Sequence, residues 1–265
     1  MNGLQNINIE LTSRCNKNCW MCGRRKQEND WPELCDWGDM PIDLVKKISV
    51  QVPKGVFIQF HNNGEPLLYP DLGKAIRYFE GNYMGLDTNA KLLMKKHDEI
   101  KSLTSVTISI IPDDPEGDEQ LGIAEEYLTL KKRPSVVFRM LGEIDLARKY
   151  LIKKYCEKFD RVDKCERILH RPEGSFGYEK TVTKPEIGIC LEMLHKLAID
   201  RYGNVYPCVR FDPKKKNILG NVNALPLADI WNSLMRKLWV QYHINFRRER
   251  VPLCGECSFY GVPRG

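Results

Sequence analysis

Apolar residues gather into short runs, rich in Ile, Val and Phe, at Asn6 to Thr12, Gly55 to Phe60, Gly85 to Thr88, Ser105 to Ile111 and Ser135 to Met140. Runs of this length and composition predict β-strands. Between them the period changes: Pro41 to Val50 after Asp39, Asp71 to Phe79, Lys91 to Leu103 and Glu143 to Lys154 read as helices, the last with Ile144, Ala147, Leu151 and Ile152 along one side. Strand and helix in alternation predict parallel β/α units, with a weaker sixth starting at Phe159 to Val162. About six units make an α/β fold of the partial-barrel kind, in which ligands sit at the carboxyl ends of the strands.

The alternation then stops. Glu166 to Ile187, with Arg-Pro, Glu-Gly and Lys-Pro dipeptides, reads as a linker, which divides the chain into a barrel over 1–186 and a smaller unit over 187–265. In the second unit Leu197 to Asp200 and Val205 to Val209 flank Gly203-Asn204 as a β-hairpin. A helix is expected from Leu225 to Gln241, with Ile230, Leu234 and Leu238 stacked on one side.

Composition narrows the class. The 265 residues are 42% hydrophobic and 29% charged, which fits a folded chain with a real core. Neither a basic segment followed by an apolar one at the start nor an apolar run long enough to span a bilayer is present, so no membrane partner is expected and the cytoplasm is the expected location. In that reducing compartment ten cysteines read as metal ligands or reactive thiols, with disulfides the weaker reading. The net charge of +6 is spread over pairs such as Lys46-Lys47 and Lys153-Lys154. No aromatic-interleaved module accompanies it, which argues against a nucleic-acid partner.

The chemistry lies in the cysteines. Cys15, Cys19 and Cys22 follow the first predicted strand, and three thiolates leave one iron of a four-iron cluster without a protein ligand. Asn63-Gly64-Glu65-Pro66 follows the second strand, Thr88-Asn89 the third, and Ser109 lies late in the fourth, all on one rim. Cys190, Cys208, Cys254 and Cys257 supply a second set of four thiolates, which by ligand chemistry alone suits zinc or a fully ligated cluster.

The three-cysteine spacing, with Gly64-Glu65-Pro66 after the second strand, resembles the radical S-adenosylmethionine (AdoMet) family. The resemblance extends to the C-terminal unit: Gly203-Asn204-Val205, Pro207-Cys208, Leu219-Gly220-Asn221-Val222, Asp229-Ile230-Trp231 and the final Cys-x-x-Cys are similar to the Twitch domain, the short form of the SPASM extension. It implies two 4Fe-4S clusters, one binding AdoMet at Cys15, Cys19 and Cys22 and one auxiliary at Cys190, Cys208, Cys254 and Cys257. It further implies AdoMet contacts from Met21, in the family's usual aromatic position, and from Asn63, Gly64, Glu65, Pro66, Thr88, Asn89 and Ser109. Asn63 replaces the first glycine of the family's Gly-Gly-Glu-Pro turn.

The build is similar to the aminocyclitol dehydrogenase branch, which implies dehydrogenation of a small hydroxylated substrate. The expected partners are a small-molecule or peptide substrate and an electron donor such as flavodoxin or ferredoxin. Arg139 and His61 are candidates for binding or deprotonating the substrate, and Cys156 and Cys165 for returning a hydrogen atom. The alternatives are a radical epimerase or peptide-maturation enzyme on the same scaffold, a regulatory protein sensing iron or oxygen through its clusters, and a zinc- or cluster-bearing nucleic-acid-binding protein.

Overall fold

Alternate residues of the strands point to opposite faces, and in this chain the two faces differ in character. Ile7, Ile58, Phe60, Leu86, Val106, Ile108, Val136, Phe138 and Met140 are buried on one face, where they form the main core. The other face carries Gln59, Asp87, Thr107, Ser109, Arg139 and Cys165, as the strand register shows. An apolar face calls for helices over it. A polar face turned inward makes a cavity.

The computed structural model describes residues 1–167, 190–210, 212–255 and 257. Six parallel strands open the chain: β1 (Asn6–Ile9), β2 (Phe57–Phe60), β3 (Met84–Thr88), β4 (Ser105–Ile110), β5 (Ser135–Leu141) and β6 (Val162–Arg167). Between them lie α1 (Gly23–Asp30) and α2 (Ile42–Ser49), then α3 (Leu72–Tyr78), α4 (Leu93–Ile100), α5 (Gly117–Leu128) and α6 (Leu146–Lys158). This is the expected run of β/α units. The β1 edge is extended by β7 (Lys196–Ile199), parallel to β1, and by antiparallel β8 (Asn204–Tyr206) and β9 (Gly220–Asn221). One nine-stranded sheet, in the order β6-β5-β4-β3-β2-β1-β7-β8-β9, therefore runs from the barrel into the C-terminal region. The expected boundary at 186/187 and most of the expected linker lie outside the described residues.

Three local expectations are corrected. The sixth strand begins at Val162 instead of ending there, and Glu166 and Arg167 continue it where a linker was expected. Helices α1 and α5, and the short α7 (Leu191–His195), were not anticipated. The helix expected over Leu225 to Gln241 is two: α8 (Leu227–Trp231) and α9 (Leu234–Ile244). Ser233 caps α9, its hydroxyl accepting from the Arg236 backbone N–H at 3.2 Å, and a capping serine starts a new helix better than it continues an old one. The break rotates the second segment, so Ile230 is buried while Leu234 and Leu238 are 84% and 49% exposed. Arg236, Trp239 and His243 turn inward in their place. The Arg236 guanidinium stacks on Trp231 and donates to the Met193 and Leu194 carbonyls, tying α9 to α7.

Candidate active site

The loop from β1 to α1 carries Cys15, Cys19 and Cys22, and all three line a cavity of about 260 Å³ at the carboxyl rim of the strands. The loop is fastened from below. Lys17, with a nearly buried side chain, is ion-paired to Asp114 and also reaches Gln120, which donates to the Ser109 carbonyl at 2.7 Å. The loop is fastened from the side by the Gly64 turn: Glu65 N–H donates to the Arg14 carbonyl at 2.8 Å. Gly64 has φ +76°, and a Cβ there would stand 2.3 Å from the Thr12 carbonyl oxygen and 2.7 Å from that of Arg14. Close approach and left-handed backbone both require glycine.

Glu65 is buried and accepts from the N–H groups of Leu67 and Asn89 and from the Thr88 hydroxyl, at 3.0, 2.8 and 2.9 Å. Burial outweighs these bonds and lifts its pKa to about 7. Asn89 also donates to Asn16 at 2.8 Å, beside Cys15. Met21, Asn63, Gly64, Glu65, Thr88, Asn89 and Ser109 all line the cavity; Pro66 does not, and instead opens a short 3₁₀ turn beneath it.

Soft sulfur donors suit iron–sulfur clusters. Here Cys19 is pushed up to about 12, by burial first and the neighbouring Cys22 next, and burial raises Cys15 too, so these two thiols need a bound cation to exist as thiolates. Cys190, Cys208, Cys254 and Cys257 likewise line one small pocket together, with Asn217 and Arg248. Burial raises Cys190, Cys208 and Cys254 as well. Among the described residues no three Cys, His, Asp or Glu side chains close around a single metal ion.

The wall opposite the cysteines is polar. Asp87 is at its centre, accepting from Gln59 at 2.5 Å and ion-paired to Arg139, with His61 Nδ1 3.4 Å away. Burial works against the Asp87 charge, but His61 and Arg139 hold its pKa below the usual carboxylate range. Burial keeps His61 below its ordinary value, against the pull of Asp87. Cys165 pairs in register with Arg139 and interacts with it on the same face. Of the four expected catalytic side chains, then, His61, Arg139 and Cys165 come together. Cys156 does not: it packs against the helix-side core from α6.

Asp87, Arg167 and Arg210, cavity or wall residues all, were missed as site residues. Strand parity held the signal for two of them. Arg167 lies two residues beyond Cys165 on β6, and Asp87 lies on the inward face of β3.

An open β/α barrel with a three-cysteine loop at its carboxyl rim and a four-cysteine pocket beside β8 defines a class of cluster-bearing enzymes, and comparison with known proteins narrows it. Residues 190–258 match the SPASM iron-sulfur cluster-binding domain. The chain is 25% identical over 267 residues to the S-adenosyl-L-methionine-dependent 2-deoxy-scyllo-inosamine dehydrogenase of Niallia circulans, covering 97% of this chain and 93% of that one. A tungsten-containing aldehyde ferredoxin oxidoreductase cofactor-modifying protein of Pyrococcus furiosus is 31% identical over 108 residues, or 39% of this chain and 28% of that one. In fold, the chain is similar to BtrN in complex with AdoMet and 2-DOIA (TM-score 0.61, 20% identity, 96% and 92% of the two chains). It is also similar to Streptococcus suis SuiB bound to precursor peptide SuiA (TM-score 0.68, 15% identity, 97% and 70%). Residues 190–258 thus carry a SPASM-type iron-sulfur cluster-binding domain, and along nearly its whole length the chain is similar to an S-adenosyl-L-methionine-dependent dehydrogenase.

Proposed function

We propose that the chain dehydrogenates a secondary alcohol on a small molecule, the polar wall of Asp87, Arg139 and His61 receiving the carbinol. Cys15, Cys19 and Cys22 would hold the AdoMet-binding cluster, and Cys190, Cys208, Cys254 and Cys257 the auxiliary one. The chemistry these groups supply when bound is one-electron: cleavage of the AdoMet sulfonium to methionine and a 5′-deoxyadenosyl radical, which takes a hydrogen atom from carbon, and an acceptor for the second electron of the oxidation.

The protein residues manage position and protons. Glu65 faces the cavity as an acceptor for the AdoMet ammonium group, and Met21 and Ile111 give its base an apolar rest. His61, neutral through burial, takes the hydroxyl proton at Nε2 while Nδ1 faces Asp87. Arg139 keeps Asp87 charged and aims the hydroxyl. The observation that carries this reading is that His61 and Asp87 line the same cavity as the three-cysteine loop, with Arg139 behind them on Asp87. The activity of the Niallia circulans relative supports the reaction type. We place the enzyme in the cytoplasm, reduced by a flavodoxin or ferredoxin. No helix among the described residues is long and apolar enough to cross a membrane.

A panel of cyclitols and sugars deuterated at the carbinol carbon tests the reaction. Deuterium should appear in 5′-deoxyadenosine in step with a ketone product. Cys165 favours a second reading, redox-neutral epimerisation, because its thiol stands beside Arg139 on the inward face. Recovery of an isomerised alcohol whose carbinol deuterium has been replaced by solvent hydrogen, without ketone, would replace the first reading by the second. Peptide substrates belong to the same panel, since SuiB was solved with a precursor peptide.

A further inference from the structure

The cavity has a cationic end. Leu141 pairs with Arg167 across β5 and β6, two positions beyond the Arg139–Cys165 pair, so Arg139, Leu141, Cys165 and Arg167 all face inward. Arg167 and Arg210 line the cavity itself, beside the apolar Ile111, Leu141 and Val209. Both keep contacts within the protein, and Arg210 also lines the pocket of the four C-terminal cysteines. They are close enough to repel: Arg167 is brought down to about 10, by burial first, then by Arg210 and Arg139, against the weaker pull of Asp87 and Glu192.

Two half-buried guanidinium groups lining one cavity repel each other, and a bound anion offsets that repulsion. Planar forks are suited to a phosphate or carboxylate. Low-dielectric walls strengthen the contact.

We propose that the substrate carries an anionic group, phosphate or carboxylate, which Arg167 and Arg210 receive while its carbinol end meets Asp87, Arg139 and His61. This rests on the dehydrogenase reading of the same cavity and adds a substrate class to it. Arg167 and Arg210 then set specificity for the anion.

Calorimetric titration of the reconstituted, AdoMet-loaded enzyme with inorganic phosphate, myo-inositol 1-phosphate, D-gluconate and myo-inositol tests it. The anions should bind about tenfold or more tightly than myo-inositol, with Arg167→Met and Arg210→Met each losing about tenfold or more of that affinity, as fits a charge-assisted hydrogen bond. Arg167→Lys, which keeps the charge, should recover part of the loss. Lys132→Met, which removes an exposed charge elsewhere, should change nothing. Preference for gluconate over the phosphates would name carboxylate as the group, and the reverse phosphate. Iron content confirms that each variant has folded.

Anions that bind no better than myo-inositol, or arginine variants that bind them like wild type, overturn the proposal. So does an Arg167→Met enzyme that loses AdoMet affinity as much as phosphate affinity, because the guanidinium would then serve the AdoMet carboxylate. Formation of 5′-deoxyadenosine by wild type under dithionite without substrate reports the radical reading separately. If that cleavage occurs and no anion binds, only the substrate class fails.

Discussion

Gly64 and Lys17 show how much of the site depends on single side chains beneath it. A methyl group at Gly64 meets the Thr12 and Arg14 carbonyls and demands a left-handed backbone, so Gly64→Ala should displace the three-cysteine loop and lower AdoMet cleavage by at least about tenfold, through misplacement of the reacting groups. A cleavage assay on protein of matched iron content checks this. Lys17→Met would leave Asp114 as an unpaired buried carboxylate, with an expected loss of about 3–5 kcal/mol read by denaturant unfolding. The cysteines around these residues were legible in the sequence because their ligand spacing is local. Asp87 and Arg167 were signalled only by strand parity and Arg210 by nothing local, because the cavity joins β3, β6 and the segment after β8, which lie far apart in the chain.

Among the elements, the strands were legible and their faces only partly so. Valine, isoleucine and phenylalanine marked β2, β4 and β5 plainly, whereas β6, Val162–Arg167, is mostly charged because its exposed position does not demand apolar residues. Phe138, fully buried on the helix face of β5 and stacked near Tyr155 of α6, joins sheet to helix. Phe138→Ala should cost about 3–5 kcal/mol in equilibrium unfolding. The C-terminal helix divides in two although its apolar period continues across Asn232-Ser233, because a cap there outweighs pattern. Ser233→Ala should cost about 1 kcal/mol, visible in the same unfolding measurement.

At the scale of the whole molecule, the barrel and the C-terminal region meet across β1 and β7, and Glu10 stands at that junction. Its carboxylate is buried, accepts from the Arg201 backbone N–H at 3.1 Å and faces Asp200. Burial, chiefly, lifts its pKa from 4.5 to about 7. The folded state thus holds a proton that the unfolded chain releases, so stability present at acid pH falls as pH rises from about 4.5 to 7. A single group shifted this far is worth on the order of 3 kcal/mol. Glu10→Gln should flatten that part of the stability–pH curve in urea unfolding of the apoprotein. A curve as steep as wild type would assign the dependence to other groups.

The central claim is that two cysteine sets, held in loops around one continuous sheet, serve two clusters with different tasks. The most direct test is anaerobic iron quantitation with dithionite-driven AdoMet cleavage, on wild type, the Cys15→Ala/Cys19→Ala/Cys22→Ala variant and the Cys254→Ala/Cys257→Ala variant. The account predicts about eight irons in wild type and about four in each variant, one four-iron cluster being lost each time. Formation of 5′-deoxyadenosine should vanish only in the first variant, and ketone formation in both. Cleavage that survives loss of Cys15, Cys19 and Cys22, or zinc in place of iron at the C-terminal set, would contradict it.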